Sequence, residues 1–315
     1  MKNKIWTLTF NNIKILLDSI EFKKYEFCRK YFLAYSSAIK QAPARTWVVK
    51  ESDNIKKARK PWKINATKRV VTISKKNDVG LFLMRVIRSL VILEDINNGK
   101  IIFKGSCINK NGEGFAIIGP RRSGKTSIIT SLLLRNTSIE FLSNSIFAIK
   151  KTATNALVFG YPMAMGLRKK VIHSLFNKGN VEFKRILNKL AETIKRDDDD
   201  RYYITPPQFK QYFGNKILNL TRLKYIIILR SIPSNSSANI KKISKKTAYE
   251  TLQKYAIQPC VNNVNQRCSP WYKLFRAQDK ISKNIIADLT NNVACYKVEY
   301  NIASHSNVVN FLEQI

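Results

Sequence analysis

One stretch, GFAIIGPRRSGKTSIITSLL from Gly114 to Leu133, constrains the fold more than any other part of the chain. An apolar run, Phe115 to Ile118, meets a loop bracketed by glycines. The loop passes through Lys125-Thr126 into an apolar segment with helical spacing. Gly119-Pro120-Arg121-Arg122-Ser123-Gly124-Lys125-Thr126 fits G-x-x-x-x-G-K-[ST] at every fixed position. The glycines let the backbone turn tightly, so that its N–H groups can point inward at phosphate oxygens. A helix starting near Lys125 adds its positive dipole end. In this pattern Lys125 reaches the β- and γ-phosphates and the Thr126 hydroxyl holds Mg²⁺, with Ser123 and Ser127 completing the loop. The predicted ligand is therefore ATP or GTP with Mg²⁺. Arg121 and Arg122 stand where small residues are common. They can add phosphate contacts, meet an acidic partner at the mouth of the site, or point into solvent.

With 315 residues, 44% of them hydrophobic, the chain is long enough to bury a sizeable core and too apolar to stay disordered. The formal net charge is +35. Two readings of it stand. One is an anionic partner: an acidic protein or peptide, nucleic acid, or an anionic membrane surface. The other is compositional bias, since Lys, Asn and Ile are all over-used and the cations are spread along the chain. No segment approaches the ~20 apolar residues of a membrane helix. The N-terminus lacks an apolar stretch of signal-peptide length, so the expected location is cytoplasmic. Five cysteines and two histidines without metal-ligand spacing argue against zinc and for buried, reduced thiols.

Along the chain, Trp6-Leu8-Phe10 and Ile13-Ile15-Leu17 alternate as a hairpin, and residues 21–36 have helical spacing. Residues 39–68 are basic and irregular, the best candidate for a linker or exposed loop. A strand is predicted over 69–74, a buried helix over 81–93, and two strands, the first over 101–108 and the second over 115–118. Beyond the loop helix come strands at 139–143, 146–150 and 155–159, and a buried strand at 225–229. A segment over 170–178, helices over 181–195, 244–255, 281–289 and 307–312 and a strand over 294–300 complete the reading. The class is α/β, with a small N-terminal α/β region (1–68) and a mixed-sheet P-loop domain (69–315).

The order of these features resembles the HPr serine kinase/phosphorylase-like proteins, whose P-loop domain is of the PEP carboxykinase-like type. The carrying segments are LFLMRVIRSLVILEDINNGKIIFKGSCI, NGEGFAIIGPRRSGKTSIITSLL, IEFLSNSIFAI, FGYPMAMGLRKKV, YIIILRSIPSNSSANIKKISKKTAYETL and NNVACYKVEYN. The resemblance implies ATP-dependent transfer of phosphate to a serine of a protein or peptide, in some relatives a precursor peptide. In the segment Gly160-Tyr161-Pro162-Met163 to Arg168 the resemblance leaves two readings: Arg168 contacts phosphate or substrate, or it is a surface arginine after a turn. Two catalytic positions depart from the family pattern. Asn144-Ser145 stands in place of Asp-Asp, and Lys104 in place of a histidine. An amide cannot act as a general base, and a lysine is a poor one unless its pKa is strongly depressed. Neither Glu140 nor Glu113 is well placed to substitute. Three functions follow from the sequence: a protein or peptide serine kinase; a catalytically degenerate nucleotide-binding partner or regulatory subunit; and a nucleotide-switched nucleic-acid-binding protein.

Four further features carry blander readings. The acidic run Asp197–Asp200 reads as a solvated loop, and His173 as a partly buried histidine. The aromatic-basic mixtures at Arg201-Tyr202-Tyr203 and Trp271-Tyr272-Lys273 read as ordinary half-buried surface.

Overall fold

Alternating apolar residues set down the first sheet. The structure is a computed structural model that describes residues 5–10, 13–32, 45–53, 62–75, 81–161, 163–168, 201–233, 236–256 and 279–315. Strands β1 (Ile5–Phe10) and β2 (Ile13–Asp18) pair antiparallel with Phe10 opposite Ile13. Leu8, Phe10, Ile13, Ile15 and Leu17 all face the core, as a period of two requires. Helix α1 (Phe22–Phe32) follows, and then β3 (Arg45–Ser52), β4 (Trp62–Asn65), β5 (Val70–Ser74) and helix α2 (Leu81–Asn97). The strand order is β1-β2-β3-β5-β4; β2, β3 and β5 run parallel, and β4 returns antiparallel on β5.

The basic stretch expected to be a linker thus supplies β3, the middle strand of this sheet. Its Trp47 and Val49 are buried, while Arg45 and Lys50 on either side conceal the alternation in the sequence. Trp47 and Arg45 are tied down by one buried carboxylate. Glu94 of α2 accepts from Trp47 Nε1 at 2.8 Å and from Arg45 Nη1 at 2.5 Å. Such a charge is tolerated in a core only when it is paired and hydrogen-bonded.

The chain divides into two compact units, Met1–Lys100 with Gln258–Ile281, and Ile101–Ile257 with Ser282–Ile315. Strand β5 and helix α2, assigned from the sequence to the P-loop domain, lie within the first unit.

The second unit is built on nine strands. They are β6 (Ile101–Phe103), β7 (Gly105–Lys110), β8 (Glu113–Ile118), β9 (Glu140–Ser143), β10 (Phe147–Lys151), β11 (Ala156–Gly160), β14 (Leu220–Ser231), β15 (Asn239–Lys242) and β16 (Ala294–Tyr300). The order is β6-β10-β11-β14-β8-β7-β9. Strand β16 pairs with β14 beyond the point where β11 ends, and β15 pairs with β16. Strands β8, β14 and β16 are parallel and the rest antiparallel, so the sheet is mixed. A separate two-stranded ribbon joins β12 (Met165–Arg168) to β13 (Arg201–Ile204).

The central strands are buried on both faces, so they read as continuous apolar runs. Phe115, Ile117, Ile227 and Leu229 pack toward helices α3 (Lys125–Arg135) and α7 (His305–Gln314). Ala116, Ile118, Ile226 and Ile228 pack toward α5 (Lys245–Tyr255) and α6 (Asp279–Asn292). Ser244 caps α5 by accepting from Thr247 N–H at 3.3 Å. Thr205-Pro206-Pro207 opens a further helix, α4 (Pro206–Phe213), with Thr205 and Gln208 forming a capping box.

The chain is thus mixed α/β with mixed sheets. Among the described residues no helix is long and apolar enough to cross a membrane. The segment 170–178, the expected helix at 181–195, the acidic run Asp197–Asp200, His173, Cys260, Cys268 and the Trp271-Tyr272-Lys273 mixture lie outside the described residues. So do the side chains of Arg201, Tyr202 and Tyr203.

Candidate functional site

Strand β8 delivers the loop. It pairs with β7 through a two-residue turn in which Asn111 and Gly112 have φ of 54° and 81°. It then ends at Ile118 beside the carboxyl end of β14, at an edge where ligands of parallel strands commonly sit. Gly119 has φ 149°, and a Cβ there would meet the Leu229 carbonyl oxygen at 2.3 Å. Only glycine lets the loop start so close to the neighbouring strand.

The loop turns at Pro120–Ser123, where Ser123 N–H donates to Pro120 O at 3.3 Å and Arg122 has a left-handed φ of 69°. Gly124, with φ 81°, is the N-cap of α3. The first N–H groups of any helix lack partners within it, so the start of α3 presents donors to an anion. Tyr300, at the end of β16, supports the loop from below. Its hydroxyl donates to Ser123 O at 3.2 Å, and a Cβ on Gly124 would lie 1.8 Å from it.

The wall opposite is made where β6 gives way to β7 and where β9 turns into β10. Gly105 N–H donates to Ser145 O at 3.1 Å, and the Ser106 hydroxyl donates to Asn144 Oδ1 at 3.1 Å. The Ser143 hydroxyl holds the base of that turn, lying 2.5 Å from Ile146 O and 3.1 Å from Tyr161 O. Strand β12 forms the third side.

These three sides enclose a cavity of about 410 Å³. Its lining contains Lys104, Arg121–Thr126, Ser127, Asn144, Ser145 and Gly166–Arg168. The structure thus brings together Arg121, Arg122, Ser123, Gly124, Lys125, Thr126 and Ser127 of the loop with Lys104, Asn144, Ser145 and Arg168, all of which the sequence singles out. Gly119 lies beneath the loop, buried, and does not line the cavity.

Sequence reasoning missed Tyr300 and Ser106. Each acts by supporting a loop residue from a distant point of the chain, and no local pattern marks such a contact. Gly166 and Leu167 were missed as well, because β12 is a four-residue strand without a pattern of its own.

The electrostatics of the cavity are one-sided. Lys104, Arg121, Arg122, Lys125 and Arg168 line it, and no described lining residue is a carboxylate. Lys125 turns back onto its own loop, donating to Gly119 O at 2.9 Å, Pro120 O at 2.6 Å and Ser123 Oγ at 3.2 Å. Burial, and then the nearby charge of Lys104, lower its pKa to about 8. The negative charge of an arriving phosphate would offset both effects.

Neither glutamate considered from the sequence reaches the cavity. Glu140 accepts from Asn109 Nδ2 at 2.6 Å, and Glu113 is paired with Lys224 at 2.6 Å. The described cysteines Cys28, Cys107 and Cys295 are buried, and burial pushes their thiols up, away from nucleophilic use.

The residues present are a poor fit to a resident magnesium ion. Thr126 offers a hydroxyl, but P-loop enzymes also supply a carboxylate from a neighbouring strand. Here β14, the parallel neighbour of β8, ends in Leu229-Arg230-Ser231, and the turn after β9 carries Asn144. Among the described residues no cluster of histidine, cysteine or carboxylate side chains could hold a metal.

No protein-family model matches the chain, and no curated protein matches it. Among solved structures it is similar to the HPr(Ser) kinase/phosphatase from Coxiella burnetii. The identity is 9% and the TM-score 0.34, with 68% of this chain and 94% of that one covered. A likeness at that TM-score carries no argument about activity, which has to rest on the cavity.

Proposed function

We propose that the chain is a nucleotide-binding protein of the phosphate-loop type, which holds the polyphosphate of ATP or GTP and works as a partner or regulatory subunit. The observation that carries this reading is the lining of the cavity: a complete phosphate loop and five cationic side chains, with no carboxylate among the described lining residues. Such a set neutralises a polyphosphate through the backbone N–H groups of the loop, Lys125 and the guanidinium groups.

Transfer to a serine hydroxyl, the activity the family resemblance implies, needs a group to take the hydroxyl proton. Losing that group typically lowers the rate 10²–10⁴-fold. Asn144 cannot take a proton, and its Oδ1 already accepts from Ser106. The excess of positive charge, +35 over the chain, suits an acidic protein or peptide as the partner.

A single-turnover assay with γ-labelled ATP, protein in excess and an acidic serine-containing peptide tests the reading. Retention of the label in ATP while the nucleotide is bound is the expected result. Label appearing on the peptide serine at a kinase-like rate would replace the proposal with the phosphotransferase.

A further inference from the structure

The lining of the cavity has a consequence for the form of its ligand. The geometry points to a site that takes the nucleotide as the bare, fully ionised polyphosphate, with protein cations standing where a magnesium ion would otherwise sit. This rests on the nucleotide-binding reading above and specifies the ligand of that same site.

The cations line the cavity from all three of its sides. Arg121, Arg122 and Lys125 come from the loop, Lys104 from the junction of β6 and β7, and Arg168 from the end of β12. Among the described residues none of them is ion-paired with a carboxylate. The nearby charge of Lys104 already disfavours the protonated form of Lys125, so these charges repel one another in the absence of an anion. A bare triphosphate carries about four negative charges and relieves that repulsion. Its magnesium complex carries about two, and relieves less.

A magnesium ion entering with the nucleotide would also need protein oxygens. The described lining offers hydroxyls, Thr126 among them, and Asn144 Oδ1, which already accepts from Ser106 at 3.1 Å, but no carboxylate. Magnesium is bound through carboxylates and phosphates in sites built for it.

Titration of the full chain with ATP, once with EDTA and once with excess Mg²⁺, at equal ionic strength, tests the inference. Affinity lower with Mg²⁺ by more than about threefold, roughly 0.65 kcal/mol, is the expected result. Affinity that is equal in the two buffers, or higher with Mg²⁺, would overturn it and leave the nucleotide-binding reading standing. Binding in neither buffer would overturn both.

Asn144→Asp gives a second, internal test. It is isosteric and places a carboxylate in the lining, so ATP should bind more weakly in EDTA and recover with Mg²⁺. Ser145→Asp, at an exposed position on the same turn, should do the same if the first variant folds poorly. If both variants fold and neither acquires a Mg²⁺ requirement, the carboxylate is not what the site lacks, and the inference fails.

Discussion

Lys125 turns back onto the loop that carries it. Its ammonium sits on two loop carbonyls with a pKa of about 8, lowered by burial and by Lys104. Because the folded pKa lies below the usual lysine value, the charged form weakens the fold below about pH 8, and that penalty fades as pH rises toward 10.5. A bound phosphate raises the pKa again. Nucleotide affinity should therefore fall as pH rises through 8, and binding at pH 8 should take up a fraction of a proton. Calorimetry in buffers of different ionisation enthalpy reads that uptake directly; none at pH 8 would contradict the role given to Lys125.

Gly124 and Tyr300 form the second residue-scale pair. Gly124→Ala should destabilise by about 2–4 kcal/mol, from the left-handed backbone and the collision with the tyrosine hydroxyl. Tyr300→Phe should cost about 1 kcal/mol through its lost hydrogen bond to Ser123 O. Removing the hydroxyl opens space beside Gly124, so in denaturant melts the double variant should be less damaged than the sum of the two. Strict additivity would mean that Tyr300 does not press on the loop.

At the scale of elements, α7 is locked onto α3 by His305, whose Nε2 lies 2.8 Å from the Ser131 hydroxyl. Burial, and then the charge of Arg135, lower the pKa of His305 to about 4. The folded value lies below the unfolded one, so its contribution is complete above pH 6.5 and is lost as pH falls toward 4. That loss should come to about 2 kcal/mol, discounted for partial solvent screening. His305→Gln should flatten that stretch of the stability–pH curve. An unchanged slope would mean the histidine titrates freely.

Most of the second unit's elements were legible because their signals are local. The run Phe115–Ile118 is apolar at every residue, since β8 is covered on both faces. The glycine pattern of the loop stands between a strand signal and a helix signal, and Ser244 marks the start of α5. Strand β3 was not legible because Arg45 and Lys50 flank a Thr-Trp-Val-Val segment whose alternation only the sheet reveals. Strand β15, Asn-Ile-Lys-Lys, is a charged edge strand with one apolar residue and carries almost no periodicity. Of the site, the phosphate loop was readable from the residues and Lys104, Asn144, Ser145 and Arg168 from the family resemblance. The supports Ser106 and Tyr300 depend on contacts between residues 38 and 177 positions apart.

For the whole molecule, the dominant fact is a charge of +35 on 315 residues. Self-repulsion on that scale is screened by salt, with a Debye length near 10 Å at about 0.1 M. Raising NaCl from about 0.05 to about 0.3 M should therefore raise the melting temperature. A falling melting temperature over that range would show that attractive ion pairs outweigh the repulsion. The same salt should strip non-specific polyanions from the surface, with a steep slope if nucleic acid is what binds there.

The most direct test of the central claim measures nucleotide binding and hydrolysis together, on the wild type and on Lys125→Ala, with ATP and with GTP. The account predicts that the wild type binds, that the substitution abolishes binding, and that neither protein turns the nucleotide over at an enzymatic rate. A wild type that binds neither nucleotide would contradict it.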